Sequence, residues 1–388
     1  MKASEYIEAI ESVVPGIAQR AEEAETLRRI PDDTIRELRE NGLLKALQPA
    51  RYGGFELDPL TFYRAIGRIG EACGSTAWVF GILGVHPWQL GLFPDAAQRE
   101  VWGEDDTTLV ASTYAPVGKV KPVEGGFELS GRWPWSSGTD HCSWVLLGGI
   151  NAHNRGEFDM RTFLLPRSDY EIIDTWRAVG LKGTGTNDIL VKSAFVPEHR
   201  TLSFADMGRC DCPGNAVNPS TLYRLPFASV FATAIAAAAL GMADGILRIY
   251  RDLLGERFKI AYGEAAREDP HSQVKLAQAH SMVDAAWQQL EQNVSAVADA
   301  AKRGEAASLL DRTRLRHDQA YGVSRAIEAA DICFESSGGS VLRDGHPLQR
   351  FWRDLHAARQ HAINDYERAA GLYGRALLGI DVSREPMV

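Results

Sequence analysis

The chain has 388 residues, of which 45% are hydrophobic and 24% are charged, and its formal net charge is −9 at pH 7. This length is enough for a large core divided among two or three domains, and the composition is that of an ordinary globular protein. The negative charge argues against a general nucleic-acid or anionic-membrane binder.

The N-terminus and the cysteines favour a cytoplasmic protein. Charged residues interrupt segment 1–14, where a secretion signal needs an apolar core. Because no second cysteine pair accompanies Cys210 and Cys212, the sequence predicts no metal site there. The cysteines are odd in number and scattered, as in a reduced protein without a disulfide framework, at positions 73, 142, 210, 212 and 333.

Residues 1–105 are predicted to form a helical domain. Segment 31–42 begins with proline and two acids and ends at glycine, which predicts a helix with suitable ends. Helices are also predicted at 59–74 and 76–85, the latter capped by Ser75. Before them, apolar residues recur three and four positions apart, at Ile7, Ile10, Val14, Ile17 and Ala21.

Residues 106–215 are predicted to form a β domain. Many short strands over about a hundred residues indicate a sandwich or a barrel. The β-prone runs, separated by Gly, Pro, Asp and Asn, lie at 108–114, 127–135, 144–149, 162–165, 170–173 and 189–196.

Residues 216–388 return to helical patterning. The most apolar run, 230–247, is mostly alanine and contains Asp244, which favours a packed bundle helix over a membrane span. An amphipathic stripe runs from 271 to 302, and helical texture continues at 313–335 and 344–370. The order of helices, a small β domain and a four-helix-like bundle predicts an α+β fold.

One extended run, from Gly131 to Gly138, combines aromatic rings with hydroxyl groups. Strand alternation places Trp133, Trp135 and Ser137 on one face. Aromatic planes beside a hydroxyl suit a flat, polar-edged heterocycle such as a flavin. Tryptophans that simply fill a sandwich core are the alternative interpretation.

Two further motifs accompany this run: GLKGTGTND at 180–188, and Ser337-Gly338-Gly339 followed by RFWRD at 350–354. With these motifs the chain resembles the acyl-CoA dehydrogenase superfamily over nearly its whole length. The resemblance implies an N-terminal helical domain, a middle β-sandwich or barrel and a C-terminal four-helix bundle. A helix C-cap is the alternative interpretation of Ser337-Gly338-Gly339.

Two chemistries compete within this superfamily. One branch of its dehydrogenases carries a carboxylate base after the Arg-Asp helix, whereas this chain has His361 in the corresponding stretch. The chain instead resembles the two-component flavin monooxygenases, which hydroxylate phenols with reduced flavin from a separate reductase. Segments 85–86, 135–138, 350–354 and the tail 384–388 resemble in particular the branch that acts on seco-steroid phenols.

The resemblance also implies roles for single residues. His86 and Ser112 would contact the phenol oxygen, with His86 as the base, and His361 would assist oxygen activation at flavin C4a. Ser137 would lie beside flavin N5, where a hydroxyl preserves the C4a-hydroperoxide. The residues expected to contact the flavin are Trp78, Trp135, Ser137, Arg224, Phe227, Ser337 and Gly338.

The implied function is ortho hydroxylation of a phenol, such as a seco-steroid or another multi-ring phenol. Reduced FMN is the expected cofactor, with FADH2 as second choice and O2 as co-substrate. The implied partners are a flavin reductase and three further copies of the chain in a homotetramer. An acyl-CoA dehydrogenase with bound FAD and a non-catalytic flavin-binding protein are the alternatives. A di-iron oxygenase is excluded because only Glu268–His271 has the required spacing, and Pro270 would break that helix.

Overall fold

The computed structural model describes residues 1–152, 159–259, 263–383 and 385. Most of the tail 384–388 that entered the resemblance therefore lies outside the described residues. In the described part, the helices that precede the first strand are α1 (Ala3–Gln19), α2 (Ala21–Leu27), α3 (Asp32–Glu40), α4 (Pro59–Gly70), α5 (Gly74–Leu90) and α6 (Asp95–Trp102).

The predicted helices at the start of the chain are confirmed, with differences in the burial of single residues and in helix ends. Ile10 and Ile17 are buried in α1, whereas Ile7 and Val14 are only partly buried. The prediction for the fourth helix is wrong at both ends, since α5 begins after Cys73 and continues through Pro87 to Leu90. Every residue of α5 is buried, so packing on all sides outweighs the helix-breaking tendency of proline.

All six predicted strands are present, and two more join them. The strands are β1 (Val110–Thr113), β2 (Lys119–Val123), β3 (Gly126–Ser136), β4 (Trp144–Ile150), β5 (Met160–Pro166), β6 (Glu171–Ile173), β7 (Asn187–Pro197) and β8 (Thr201–Ser203). They form two four-stranded sheets in the orders β1-β4-β5-β8 and β2-β3-β7-β6. Phe127 of one sheet packs edge-on against Phe163 of the other, so the sheets form a sandwich.

The remaining described elements are α7 (Phe204–Arg209), α8 (Phe227–Glu256), the short strands β9 (Phe258–Lys259) and β10 (Glu264–Ala265), α9 (Pro270–Lys302), α10 (Leu309–Ser336), α11 (Pro347–Ala358) and α12 (Tyr366–Leu377). The apolar helix α8 is long enough to cross a membrane, yet 94% of its most apolar window is buried inside the protein. The predicted packed bundle helix is therefore confirmed. The helical texture at 344–370 divides into α11 and α12, and His361 lies at the break between them.

Candidate active site

The tryptophan run of β3 does not alternate as predicted. Trp133 is fully buried and its Nε1 donates to the carbonyl oxygen of Gly148 at 2.8 Å. Trp135 is 66% exposed with a φ of +69°, while Ser137 is buried. The shared face is wrong because the pairing with β7 shifts between Trp133 and Ser136, and this β-bulge turns the two tryptophans apart.

The Ser137 hydroxyl forms hydrogen bonds with two other parts of the fold. Trp78 of α5 donates from Nε1 to the Ser137 Oγ at 3.1 Å. The GLKGTGTND motif at 180–188 forms a loop, called the Gly-Thr loop, and the Oγ1 atom of its Thr186 lies 2.9 Å from the same oxygen. Trp78, Ser137 and Thr186 are all at least 93% buried. The contact between Trp78 and Ser137 joins the helical domain to the β sandwich at the residue that was predicted to lie beside flavin N5.

The Gly-Thr loop is anchored by α11. The Asp354 Oδ1 accepts a hydrogen bond from the Leu181 backbone N–H at 2.6 Å. Leu181 has a φ of +50°, which a side chain with a Cβ adopts only at a cost, so this bond stabilises a strained turn. Burial raises the pKa of Asp354 to about 7. The sequence motifs contained both residues, but no role was predicted for Asp354.

His86 is fully buried, and its contacts define which nitrogen carries the proton. Its Nδ1 lies 2.5 Å from the carbonyl oxygen of Val110. Because a carbonyl only accepts, Nδ1 carries the hydrogen and the neutral ring has its lone pair on Nε2. That Nε2 is buried without a hydrogen-bond partner among the described residues. Ser112 is buried two residues after Val110, on the same strand.

His361 carries its proton on the other ring nitrogen from His86. It caps the turn between α11 and α12, where its Nδ1 accepts from the Ile363 backbone N–H at 3.2 Å. The hydrogen of the neutral ring is therefore on Nε2. Its ring centroid lies 5.6 Å from that of Trp78 and 6.4 Å from that of Phe231. The two histidines thus offer an acceptor and a donor, respectively, through their Nε2 atoms.

An aromatic cluster connects the two histidines. The Tyr114 ring lies 6.5 Å from that of His86 and 5.2 Å from that of Phe231, which in turn contacts His361. Phe227 is 4% exposed and stacks on Phe231 with centroids 5.5 Å apart. The structure therefore brings Trp78, His86, Ser112, Ser137, Phe227 and His361 into one connected region. Tyr114 was not predicted from the sequence.

The other predicted flavin residues lie apart from this cluster. Arg224 is exposed in a short turn that precedes α8. Ser337 ends α10 and donates from Oγ to the Cys333 carbonyl oxygen at 2.7 Å, and Gly338 follows with a φ of +74°. The helix C-cap interpretation is confirmed, whereas a flavin contact by these residues stays a prediction. Surface clefts of about 480 and 450 Å³ include none of the predicted site residues.

Both site histidines are expected to stay neutral well below pH 6. Burial lowers the pKa of His86 to about 4, and burial together with nearby Arg316 lowers the pKa of His361 to about 4. Nitrogen NMR of ¹⁵N-histidine-labelled protein checks this, with signals assigned through His→Gln variants. Titration of either ring near pH 6.5, the ordinary value, would contradict these lowered pKa values.

Comparison with known proteins identifies the family of this chain. Models of the acyl-CoA dehydrogenase N-terminal and C-terminal domains match residues 8–105 and 233–366. The chain is 44% identical over 378 residues to the flavin-dependent monooxygenase oxygenase subunit HsaA of Rhodococcus jostii, covering 97% of this chain and 99% of that protein. It is 34% identical to the oxygenase component of p-hydroxyphenylacetate 3-hydroxylase of Acinetobacter baumannii, with coverage of 97% and 89%.

A solved structure gives the same result. The 3-HSA hydroxylase from Rhodococcus sp. RHA1 superposes with a TM-score of 0.95 at 43% identity, and the match covers 99% of each chain. The chain therefore belongs to the flavin-dependent monooxygenases with the acyl-CoA dehydrogenase fold.

Proposed function

We propose that this protein is the oxygenase component of a two-component flavin monooxygenase that hydroxylates a phenol ortho to its hydroxyl group. A separate reductase supplies reduced flavin, either FMN or FADH2. Reduced flavin, when bound, would supply the electrons that activate O2, and O2 would supply the oxygen atom. The observation that carries this proposal is the pair of histidines with opposite Nε2 roles, joined by an aromatic cluster. His86 is fully buried and His361 is partly buried.

The residues near Ser137 fit a flavin. Trp135 offers a large aromatic ring that is 66% exposed, and its φ of +69° is one that a tryptophan seldom adopts. Strained, exposed aromatic residues of this kind are concentrated at ligand sites. Two residues further on, the Ser137 hydroxyl is held in place by Trp78 and Thr186. An exposed ring and, two residues further on, a fixed hydroxyl are the groups that a planar heterocycle with polar edges needs, and we assign Ser137 to flavin N5.

His86 is assigned to the phenol. A phenol has a pKa near ~10, and partial removal of its proton makes the ring a better nucleophile. The His86 Nε2 has a free lone pair in a region closed to water, so it can accept that hydrogen bond. Ser112 lies on the strand that holds the His86 ring through Val110, and we assign it to the same phenol oxygen.

His361 is assigned to the oxygen side of the flavin. Its Nε2–H is the natural donor to an oxygen atom, because Nδ1 is occupied as an acceptor at Ile363. The buried rings of Trp78 and Phe231 lie against one side of His361 and reduce the access of water to it. Exclusion of water strengthens each polar contact in the site. Arg224, Phe227, Ser337 and Gly338 are retained as proposed flavin contacts.

The proposal extends to the substrate and the assembly. Similarity to HsaA and to the 3-HSA hydroxylase structure supports a seco-steroid or another multi-ring phenol as the substrate. We also propose a homotetramer located in the cytoplasm. An acyl-CoA dehydrogenase is disfavoured because the named relatives are monooxygenases and His361 occupies the stretch where one dehydrogenase branch has its carboxylate base.

A substrate panel with labelled oxygen tests the proposed function. Purified protein would be combined with a flavin reductase, NADH, either FMN or FAD, and ¹⁸O2. Monocyclic, bicyclic and seco-steroid phenols would serve as substrates. We expect a catechol with one ¹⁸O atom, with the highest yield from a multi-ring phenol, and no product without reductase. Release of hydrogen peroxide alone across the panel would contradict the proposal, and bleaching of bound FAD by an acyl-CoA would support the dehydrogenase instead.

A further inference from the structure

Three buried hydroxyl groups form a continuous chain that ends at Ser137. The Thr184 Oγ1 lies 2.8 Å from the carbonyl oxygen of Leu181 and 2.5 Å from the Thr186 Oγ1. The Thr186 Oγ1 lies 2.9 Å from the Ser137 Oγ, which Trp78 also contacts. Each of the three hydroxyl-bearing residues is at most 7% exposed, so this chain of hydroxyl groups is shielded from solvent.

The two ends of this chain determine the direction of every hydrogen bond in it. Each hydroxyl has one hydrogen to donate and two lone pairs. Thr184 must give its hydrogen to the Leu181 carbonyl, which only accepts. Thr186 must then donate to Thr184, and Ser137 must donate to Thr186. Since Trp78 Nε1 also donates to Ser137, the Ser137 oxygen is left with one lone pair and no free hydrogen.

Flavin N5 changes its hydrogen-bonding role with redox state. In reduced flavin N5 carries a hydrogen and donates, whereas in oxidised flavin N5 is an acceptor. A hydroxyl that can only accept therefore favours the reduced form. We infer that Thr184 and Thr186 fix Ser137 as an acceptor and thereby make this site select reduced flavin over oxidised flavin. The inference rests on the proposed position of Ser137 beside N5.

This selectivity is useful to an oxygenase that takes flavin from a separate reductase. Such a site must bind reduced flavin from solution and then release the oxidised product. Thr184 and Thr186 are positioning residues here, because they act through Ser137. Asp354 holds Leu181, where the chain of hydroxyl groups begins: its carboxylate accepts from the Leu181 N–H, while the Leu181 carbonyl accepts from Thr184.

Substitution of either threonine by valine tests the inference through flavin binding, without turnover. In T186V the Ser137 hydrogen loses its acceptor and can turn toward oxidised N5. In T184V the Thr186 hydrogen is released to donate to Ser137, which frees the Ser137 hydrogen in the same way. We expect the ratio of Kd for oxidised flavin to Kd for reduced flavin to fall about tenfold in both variants, the size expected for one hydrogen bond.

The measurements are fluorescence titration of oxidised FMN and FAD and anaerobic titration of the reduced forms. T186S keeps the hydroxyl and should restore the wild-type ratio to within about twofold. T162V is the matched control, because Thr162 is also buried and, among the described residues, its hydroxyl donates to the Leu202 carbonyl and takes no part in the hydroxyl chain. Its ratio should not change.

The outcomes separate this inference from the proposed function. An unchanged ratio in both T184V and T186V overturns the inference, including when S137A alone lowers the ratio. A T162V effect as large as that of T186V would also overturn it, since the loss would then be structural. Failure of the wild-type protein to hydroxylate any phenol contradicts the proposed function and leaves the binding ratios as an independent result.

Discussion

Replacement of His86 by alanine is expected to slow phenol hydroxylation by about 10²–10⁴-fold, the usual contribution of a general base. The same variant should still consume reduced flavin and O2 and release hydrogen peroxide. The reason is that the His86 Nε2 is assigned to the phenol, while the residues assigned to the flavin are left in place. Catechol by mass spectrometry and peroxide by a coupled assay measure the two rates separately.

H141A is the matched control for this prediction. His141 is a second buried histidine, with a side chain 5% exposed, and burial also lowers its pKa to about 4. It lies 3.7 Å from Asp32, away from the aromatic cluster, so its loss should leave the ratio of catechol to peroxide unchanged. Equal loss of catechol and peroxide in H86A would remove His86 from the role of substrate base.

The pH dependence of hydroxylation follows from the same geometry. Because burial lowers the pKa of His86, the neutral ring that accepts a proton is present throughout the neutral range and is lost only as the pH falls toward about 4. An ordinary exposed histidine would already lose half of its neutral form near pH 6.5. A falling rate near pH 6.5 must therefore come from another group.

The overall fold could be read from the sequence because its signals are local. Helical periodicity, short β-prone runs and the return to long apolar stripes depend on neighbouring residues. The errors occur where tertiary packing outweighs a local rule. Pro87 marks a helix end in the sequence, yet α5 continues past it because the helix is buried on every side. Edge strand β2 was missed because its lysines and Pro122 are typical of exposed segments.

The candidate site was less accessible to sequence reasoning. His86 and His361 were located by resemblance, but their opposite tautomers depend on contacts with Val110 and Ile363 that no periodicity predicts. Simple alternation placed Trp135 on the wrong face of the strand. Pro134 could have indicated the bulge, since proline within a strand is typical of one. The hydroxyl chain from Thr184 to Ser137 includes a bond between Ser137 and Thr186, which are 49 positions apart in sequence, and it requires the folded loop.

At the crossing of α4 and α8, a single added methyl group should lower stability. A Cβ atom on Gly241 would lie 2.4 Å from the Gly67 carbonyl oxygen and 2.8 Å from the Gly67 Cα. Because both obstacles are backbone atoms, only separation of the helices relieves the clash. G241A should therefore lower stability by about 1–3 kcal/mol, despite the better helix propensity of alanine.

This crossing also sets the position of the site, since α8 carries Phe227 and Phe231 and α4 leads into α5 with Trp78 and His86. G241A should thus reduce the yield of catechol per reduced flavin as well as the Tm. Differential scanning calorimetry measures the Tm, and product analysis measures the yield.

The opposite result is expected for the same substitution at Gly371. Gly371 is exposed in the middle of α12, and a Cβ atom there meets nothing within 4 Å. Alanine at this position relieves the entropic cost of glycine in a helix and should raise stability by about 0.5–1 kcal/mol. Since G241A and G371A add the same atom to a helix, helix propensity alone predicts that both are stabilising. A rise in Tm for both variants would show that α4 and α8 can separate without cost.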